Sequence, residues 1–241
     1  MKKLLAVCCL ALAVLPLRAQ YSASESFSWD KIIVPGLLIG AGTVASFSPW
    51  YQSNIDTPLQ AWALDVSGGK AFPLDNFLQF APALGYAAAI PFACSEHTWQ
   101  EKSLVLGTSF SVMMALVYGT KWLTAVERPN SSRHSFPSGH TAMAFFGAEI
   151  VRQEYGPWWG LAAYSAAAVT GFLRVYNNWH WSSDVIAGAG VGILSGLIGY
   201  WLLPWEREVL GLDSGKAQVS AAPSYLPAPY NIPVVSLSVK F

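Results

Sequence analysis

Long apolar runs alternate along the chain with short polar loops, and the run lengths suit membrane helices. A helix needs about 20 predominantly apolar residues to cross the hydrocarbon core of a bilayer. Residues 74–94 and 104–123 meet that length as clear spans, the first in spite of Pro82 and Pro91, with a polar loop over 95–103 between them. Residues 157–173 and 185–203 follow, rich in the Gly, Ala and Ser that let membrane helices pack closely. Residues 141–151 predict a shorter helix that closes near Arg152-Gln153-Glu154. Residues 32–47 are apolar but short, glycine-rich and interrupted by Pro35, which fits either a tilted span or a re-entrant piece. Residues 48–70 mix Trp50, Tyr51 and Trp62 with Asp56 and Asp65, a composition suited to the membrane interface. The pattern predicts an all-α polytopic membrane bundle of about six helices with a short extended C-terminal tail.

The two ends of the chain read differently from its middle. Residues 1–20 carry two lysines, an apolar stretch and then Arg18-Ala19-Gln20, the pattern of a secretory signal peptide cleaved after Ala19 or of an uncleaved first span. Beyond Trp205, Pro223, Pro227, Pro229 and Pro233 exclude a helix, while Val235, Leu237, Val239 and Phe241 alternate with Ser236, Ser238 and Lys240. That alternation is strand-like and predicts a tail that pairs with its own protein. The organisation expected is therefore a leader over 1–19, an N-terminal and interfacial region over 20–72, a core over 73–205 and a Pro-rich tail over 206–241.

Composition sharpens the class. Of 241 residues only 12% are charged and 53% are hydrophobic, where soluble proteins carry about 25% charged residues. Fourteen basic residues balance fourteen acidic ones, so no excess positive charge points to nucleic acid. The expected surroundings are a bilayer. Cys8 and Cys9 fall in the leader, so a mature chain keeps Cys94 alone, read as a small apolar residue without a disulfide partner.

Against this apolar background the charged residues at span ends need a reason, because each ion in a bilayer costs roughly 2.5–3.5 kcal/mol even on a lenient scale. Lys121 and Arg128 close one span and open its loop, Arg174 closes another, and His180 and Asp184 stand four residues apart on one helical face. Between them lies the loop Arg128–Thr141, in which Arg133 and His134 add basic groups and Pro137-Ser138-Gly139-His140 leads into a helix. A helix start offers free N–H groups and a partial positive charge to an anion. Each residue alone has an ordinary reading: snorkelling for the cations, a structural hydrogen bond for the His–Asp pair, a capped helix for the loop. A metal site is disfavoured by the three basic side chains around it. Counting spans, however, puts all these groups on one side of the membrane, where three cations, a helix start and two histidines would hold a phosphate.

Lys121, Arg128-Pro129, Pro137-Ser138-Gly139-His140 and Arg174, His180, Asp184 resemble, in order and spacing, the three motifs of the type 2 phosphatidic acid phosphatases, across roughly residues 74–203. Leu173 departs from the family's common Ser before the arginine. The resemblance implies a membrane lipid phosphatase that needs no metal or other cofactor. In it His180 would attack phosphorus to give a phosphohistidine, Asp184 would fix the tautomer of His180, and His140 would protonate the leaving oxygen and then activate water. Lys121, Arg128 and Arg174, with Ser138 and the Gly139 N–H, would hold the phosphate oxygens. The implied substrate is a lipid phosphate or diphosphate: phosphatidic acid, phosphatidylglycerol phosphate, an isoprenyl diphosphate or lipid A. The rivals are a vanadate-dependent haloperoxidase, similar in the same motifs but typically soluble, and a catalytically silent lipid-binding membrane protein. The expected location is a bacterial inner membrane with the site on the periplasmic face. With a cleaved leader, that face requires residues 32–47 not to span.

Overall fold

The computed structural model of the chain describes residues 25–93 and 95–212, and the backbone of two further segments, 218–225 and 233–240. The leader, with Cys8 and Cys9, and also Cys94 lie outside the described residues. The helices in chain order are α1 (Trp29–Ser46), α2 (Pro49–Ser67, with a π turn at Gln52–Asp56), α3 (Asp75–Leu78), α4 (Ala81–Ala89), α5 (Trp99–Thr124), α6 (Gly139–Tyr155), α7 (Pro157–Tyr176) and α8 (Ser182–Leu210).

Two helices among the described residues, α5 and α8, are each long and apolar enough to cross a membrane; α1 and α2, bent by 79° at their junction, could together make a third. α8 is the axis of the bundle. In its most apolar stretch 67% of residues are buried, against 22% for α5, so α5 stands at the perimeter with Trp122 and Leu123 turned outward. The core around α8 joins Tyr86, Val105, Met113, Phe146, Ile150, Tyr200 and Leu203. Close approach needs small residues: a Cβ on Gly192 would lie 2.4 Å from the Ala142 carbonyl oxygen, so α6 and α8 touch backbone to backbone there.

α1 packs lengthwise on α8. Phe27, just before it, meets the Trp201 ring at 5.1 Å, while Gly42 lies against Ala187 and Phe47 meets Phe136 at 6.2 Å. Residues 32–47 thus run from one end of the bundle to the other, beside α8.

Residues 74–94, expected as one clear span, are broken into α3 and α4. Pro82 stands in the first turn of α4, where a missing N–H and a fixed φ suit a helix start and not a helix interior. α5 in turn begins five residues earlier than residues 104–123 suggest. Thr98 and Glu101 form a reciprocal capping box, the Thr98 side chain accepting from the Glu101 N–H and the Glu101 carboxylate from the Thr98 N–H.

The chain divides into two compact units, Met1–Leu203 and Pro204–Phe241. In the second, β1 (Gln218–Tyr225) and β2 (Pro233–Lys240) pair antiparallel, from Gln218 with Lys240 to Tyr225 with Pro233. The alternating segment of the tail thus finds its partner within the tail itself.

Candidate active site

The C-terminal ends of α5 and α7 and the N-terminal ends of α6 and α8 meet at one end of the bundle, and the polar loop 125–138 folds over them. Ala125, left-handed at φ 48°, ends α5. The Lys121 ammonium on the last turn is buried and donates to the carbonyls of His134 (2.6 Å) and Ser135 (3.0 Å). An ammonium has three N–H groups, so one remains for a ligand. Arg128 closes the loop on itself, its N–H meeting the Ser132 carbonyl at 2.7 Å, and its buried Nε has no partner.

Ser138 caps α6. Its side chain accepts from the Thr141 N–H and from the Thr141 hydroxyl, the latter at 2.9 Å. Its own N–H donates to the Asp184 carbonyl at 3.0 Å, which fixes the start of α6 on the first turn of α8. Gly188 permits this approach, since a Cβ there would lie 2.6 Å from the Ser138 carbonyl oxygen. His140, half-buried, follows on the first turn of α6.

His180 is 2% exposed and stands between α7 and α8. Its Nδ1 faces two groups, the Asp184 carboxylate at 3.4 Å and the Ser135 hydroxyl at 3.3 Å. Ser135 itself donates to the same carboxylate oxygen, and the Trp181 N–H reaches that oxygen at 3.0 Å. Nε2, on the opposite edge of the ring, faces away from this cluster. Burial, and after it the charges of Lys121, Arg174, Arg128 and His140, holds the His180 ring well below the usual histidine range and therefore neutral. Lys121 and His180 meet the same residue, Ser135, at its carbonyl and its hydroxyl, and the His180 N–H bonds to the Arg174 carbonyl.

Arg174, on the last turn of α7, pairs with the buried carboxylate of Asp75 on α3 and stacks 5.4 Å from the Trp179 ring, while its Nε is buried and unpaired. Asp56, from the π turn of α2, accepts from the Ser182 N–H (2.9 Å) and from the Ser182 and Ser183 hydroxyls (2.6 and 2.9 Å). It caps α8 from outside, beside His180.

The residues singled out from sequence, Lys121, Arg128, Ser138, Gly139, His140, Arg174, His180 and Asp184, therefore lie at one end of the bundle. Arg133 and His134 are exposed at its rim. Three contributors escaped the sequence reading: Ser135, Asp56 and Asp75. One signal was available for Asp75, a carboxylate opening an apolar run, where ionisable residues call for a partner.

The family model of the PAP2 superfamily matches residues 89–208, which contain all eight of those residues. The chain belongs to the PAP2 superfamily. Among curated proteins, a lipid A 1-phosphatase of Porphyromonas gingivalis is 34% identical over 155 residues, covering 62% of this chain and 35% of that protein. A lipid A 1-diphosphate synthase of Escherichia coli K12 is 34% identical over 88 residues, covering 36% of this chain and 37% of that one. The chain thus spans about a third of the length of these relatives. A crystal structure of a transmembrane PAP2-type phosphatidylglycerolphosphate phosphatase from Bacillus subtilis superposes with a TM-score of 0.51 at 21% identity, over 73% of this chain and 97% of that one, which shows a shared fold. Asp56 and Asp75 precede the PAP2 segment; Ser135 lies inside it.

Proposed function

We propose that the protein is an integral membrane phosphatase that removes phosphate from a lipid, through a phosphohistidine on His180. The observation that carries this reading is the gathering of Lys121, Arg128 and Arg174, with donor groups to spare, around a buried neutral histidine. Nε2 of His180 attacks phosphorus as the bond to the lipid oxygen breaks, and His140 protonates that oxygen. His140 then takes a proton from water, whose oxygen displaces His180 from phosphorus and releases inorganic phosphate. Asp184 and Ser135 hold the Nδ1 proton in place during both steps. The three cations, with Ser138 and the Gly139 N–H, hold the non-bridging oxygens and stabilise the charge that builds on them.

The relatives' names favour lipid A as the substrate among lipid phosphates. The site lies on the periplasmic face of the inner membrane. Because α1 runs the length of the bundle, this sidedness puts the start of α1 on the cytoplasmic side. A reporter fused after Ser53 should then read outside and one fused after Trp205 inside; an N-terminus cleaved after Ala19 would reverse both and overturn the sidedness.

The activity is tested by phosphate release from the full-length protein in detergent with EDTA present, across lipid A, phosphatidic acid, phosphatidylglycerol phosphate and an isoprenyl diphosphate. Release that survives EDTA and vanishes in His180→Ala is the expected result. No release from any of these by folded wild-type protein overturns the reading.

A further inference from the structure

The buried ion pair between Asp75 and Arg174 joins the site to a part of the chain that precedes the PAP2 segment. Asp75 is 1% exposed and both its oxygens are engaged. Oδ2 accepts from Arg174 Nη1 and Oδ1 accepts from Asn177 Nδ2 at 2.9 Å. The Asn177 side chain makes a two-point contact with the Phe72 backbone, donating to its carbonyl (2.9 Å) and accepting from its N–H (2.8 Å). Residues 72–75 are thereby fastened to 174–177 by the groups that lead into the site. The Arg174 carbonyl in turn accepts from the N–H groups of Trp179 (3.0 Å) and His180 (3.2 Å). One residue therefore bears the guanidinium and fixes the backbone of His180, and Asp75 holds its side chain.

We infer that Asp75 is a positioning residue of this site, one that aims the Arg174 guanidinium at the bound phosphate. The inference rests on the phosphatase reading for its chemistry and on this geometry for its residue. A guanidinium is a rigid fork with five N–H donors. Clamping Nη1 with a carboxylate on one side and stacking the plane near Trp179 leaves the Nε edge as the presented one, and Nε is the buried atom without a partner. Asp75 also sets the charge of the cradle. Lys121, Arg128 and Arg174 are balanced in part by Asp184 and Asp75, which reduces repulsion among the cations before a phosphate arrives.

The discriminating experiment uses full-length protein in detergent carrying Asp75→Asn, which keeps the shape and removes the charge. A misdirected guanidinium costs turnover, because misplacement by about 1 Å can lower a rate roughly 100-fold. The expected result is a fall in kcat of about 10–100-fold with KM changed by less than about threefold, at an unshifted thermal midpoint. In an Arg174→Lys background, where there is no fork to aim, the same substitution should cost less than about threefold, which a general loss of folding would not produce. An undiminished kcat, or an equal cost in both backgrounds, overturns the inference. Calorimetric binding of orthovanadate, which takes the five-coordinate shape of phosphorus in the transition state, reads the cradle without turnover. It should weaken about tenfold in Asp75→Asn, and unchanged binding overturns the inference whether or not the wild type hydrolyses a lipid. Wild-type protein that binds vanadate yet releases no phosphate would remove the phosphatase reading and leave the role of Asp75 standing.

Discussion

Ser135 has a single hydroxyl proton, given to Asp184, and turns its oxygen to Nδ1 of His180. The direct His180–Asp184 contact, at 3.4 Å, is long for a hydrogen bond, and the Ser135 hydroxyl, at 3.3 Å, gives the ring a second contact of about that length. Ser135→Ala leaves the carboxylate without one donor and the ring with one weak contact. Losing such a buried bond is worth about 1–3 kcal/mol, which should appear as a fall of roughly 10–100-fold in kcat with KM little changed. Steady-state phosphate release by Ser135→Ala and Ser135→Thr checks this: the threonine variant should recover most of the loss, and equal damage in both would mean that shape matters and not the hydroxyl. At this scale the residues that gather at the site were legible because phosphate chemistry demands particular residue types at particular separations. Ser135 was not, since a serine beside a loop has many ordinary uses. Nor was Asp56, which acts on Ser182 and Ser183 from more than 120 positions away and leaves no local trace.

The crossing of α6 and α8 at Gly192 makes a sharp prediction for the helices as elements. A methyl group there meets the Ala142 carbonyl at 2.4 Å and the Phe146 nitrogen at 2.8 Å, so two backbones would have to part. Gly192→Ala should lower stability by about 1–3 kcal/mol. Gly85 in α4 has nothing within 4 Å of the equivalent position, and Gly85→Ala should raise stability by about 0.5–1 kcal/mol through helix propensity alone. Thermal midpoints in one detergent compare the two directly; shifts of the same sign would contradict the packing described. Apolar run length located the helices well because the bilayer imposes it. It failed at 74–94, where the overall hydropathy is right but Pro82 resets the helix. It also misplaced the start of α5, where the Thr98–Glu101 capping box outweighs the polarity of residues 99–103.

The molecule as a whole is also fastened at the end away from the site. His97 bonds through Nδ1 to Glu154 (2.9 Å) and through Nε2 to Glu25 (2.8 Å), and Glu154 also accepts from Ser95 and from Tyr200 (2.8 Å). Glu25 lies just before α1, so this cluster ties the N-terminal segment to α6 and α8. Burial disfavours a charged His97, but the hydrogen bonds and charges of Glu154 and Glu25 outweigh it and raise the histidine above its usual range. A raised value in the fold means that the stabilisation is complete below the unfolded value, about 6.5, and is lost as pH rises through the folded one. The thermal midpoint of the wild type should therefore fall on going from pH 6 to alkaline pH, and His97→Gln should flatten that slope; an equal slope in both would remove the cluster as its source. The bundle and the gathering of the site's charged groups at one end of it followed from spacing. The lengthwise path of α1 did not, because residues 32–47 are too short and too glycine-rich to declare themselves without α8 beside them. The carboxylates of Asp56 and Asp75 carry a consequence for modularity. A chain trimmed to begin at residue 89 would retain every signature residue and lose both of the anchors that hold His180 and Arg174 in register. The recurring segment is thus a reagent set and not a portable part: grafted elsewhere, it would need a new preceding stretch to grip it before it could work.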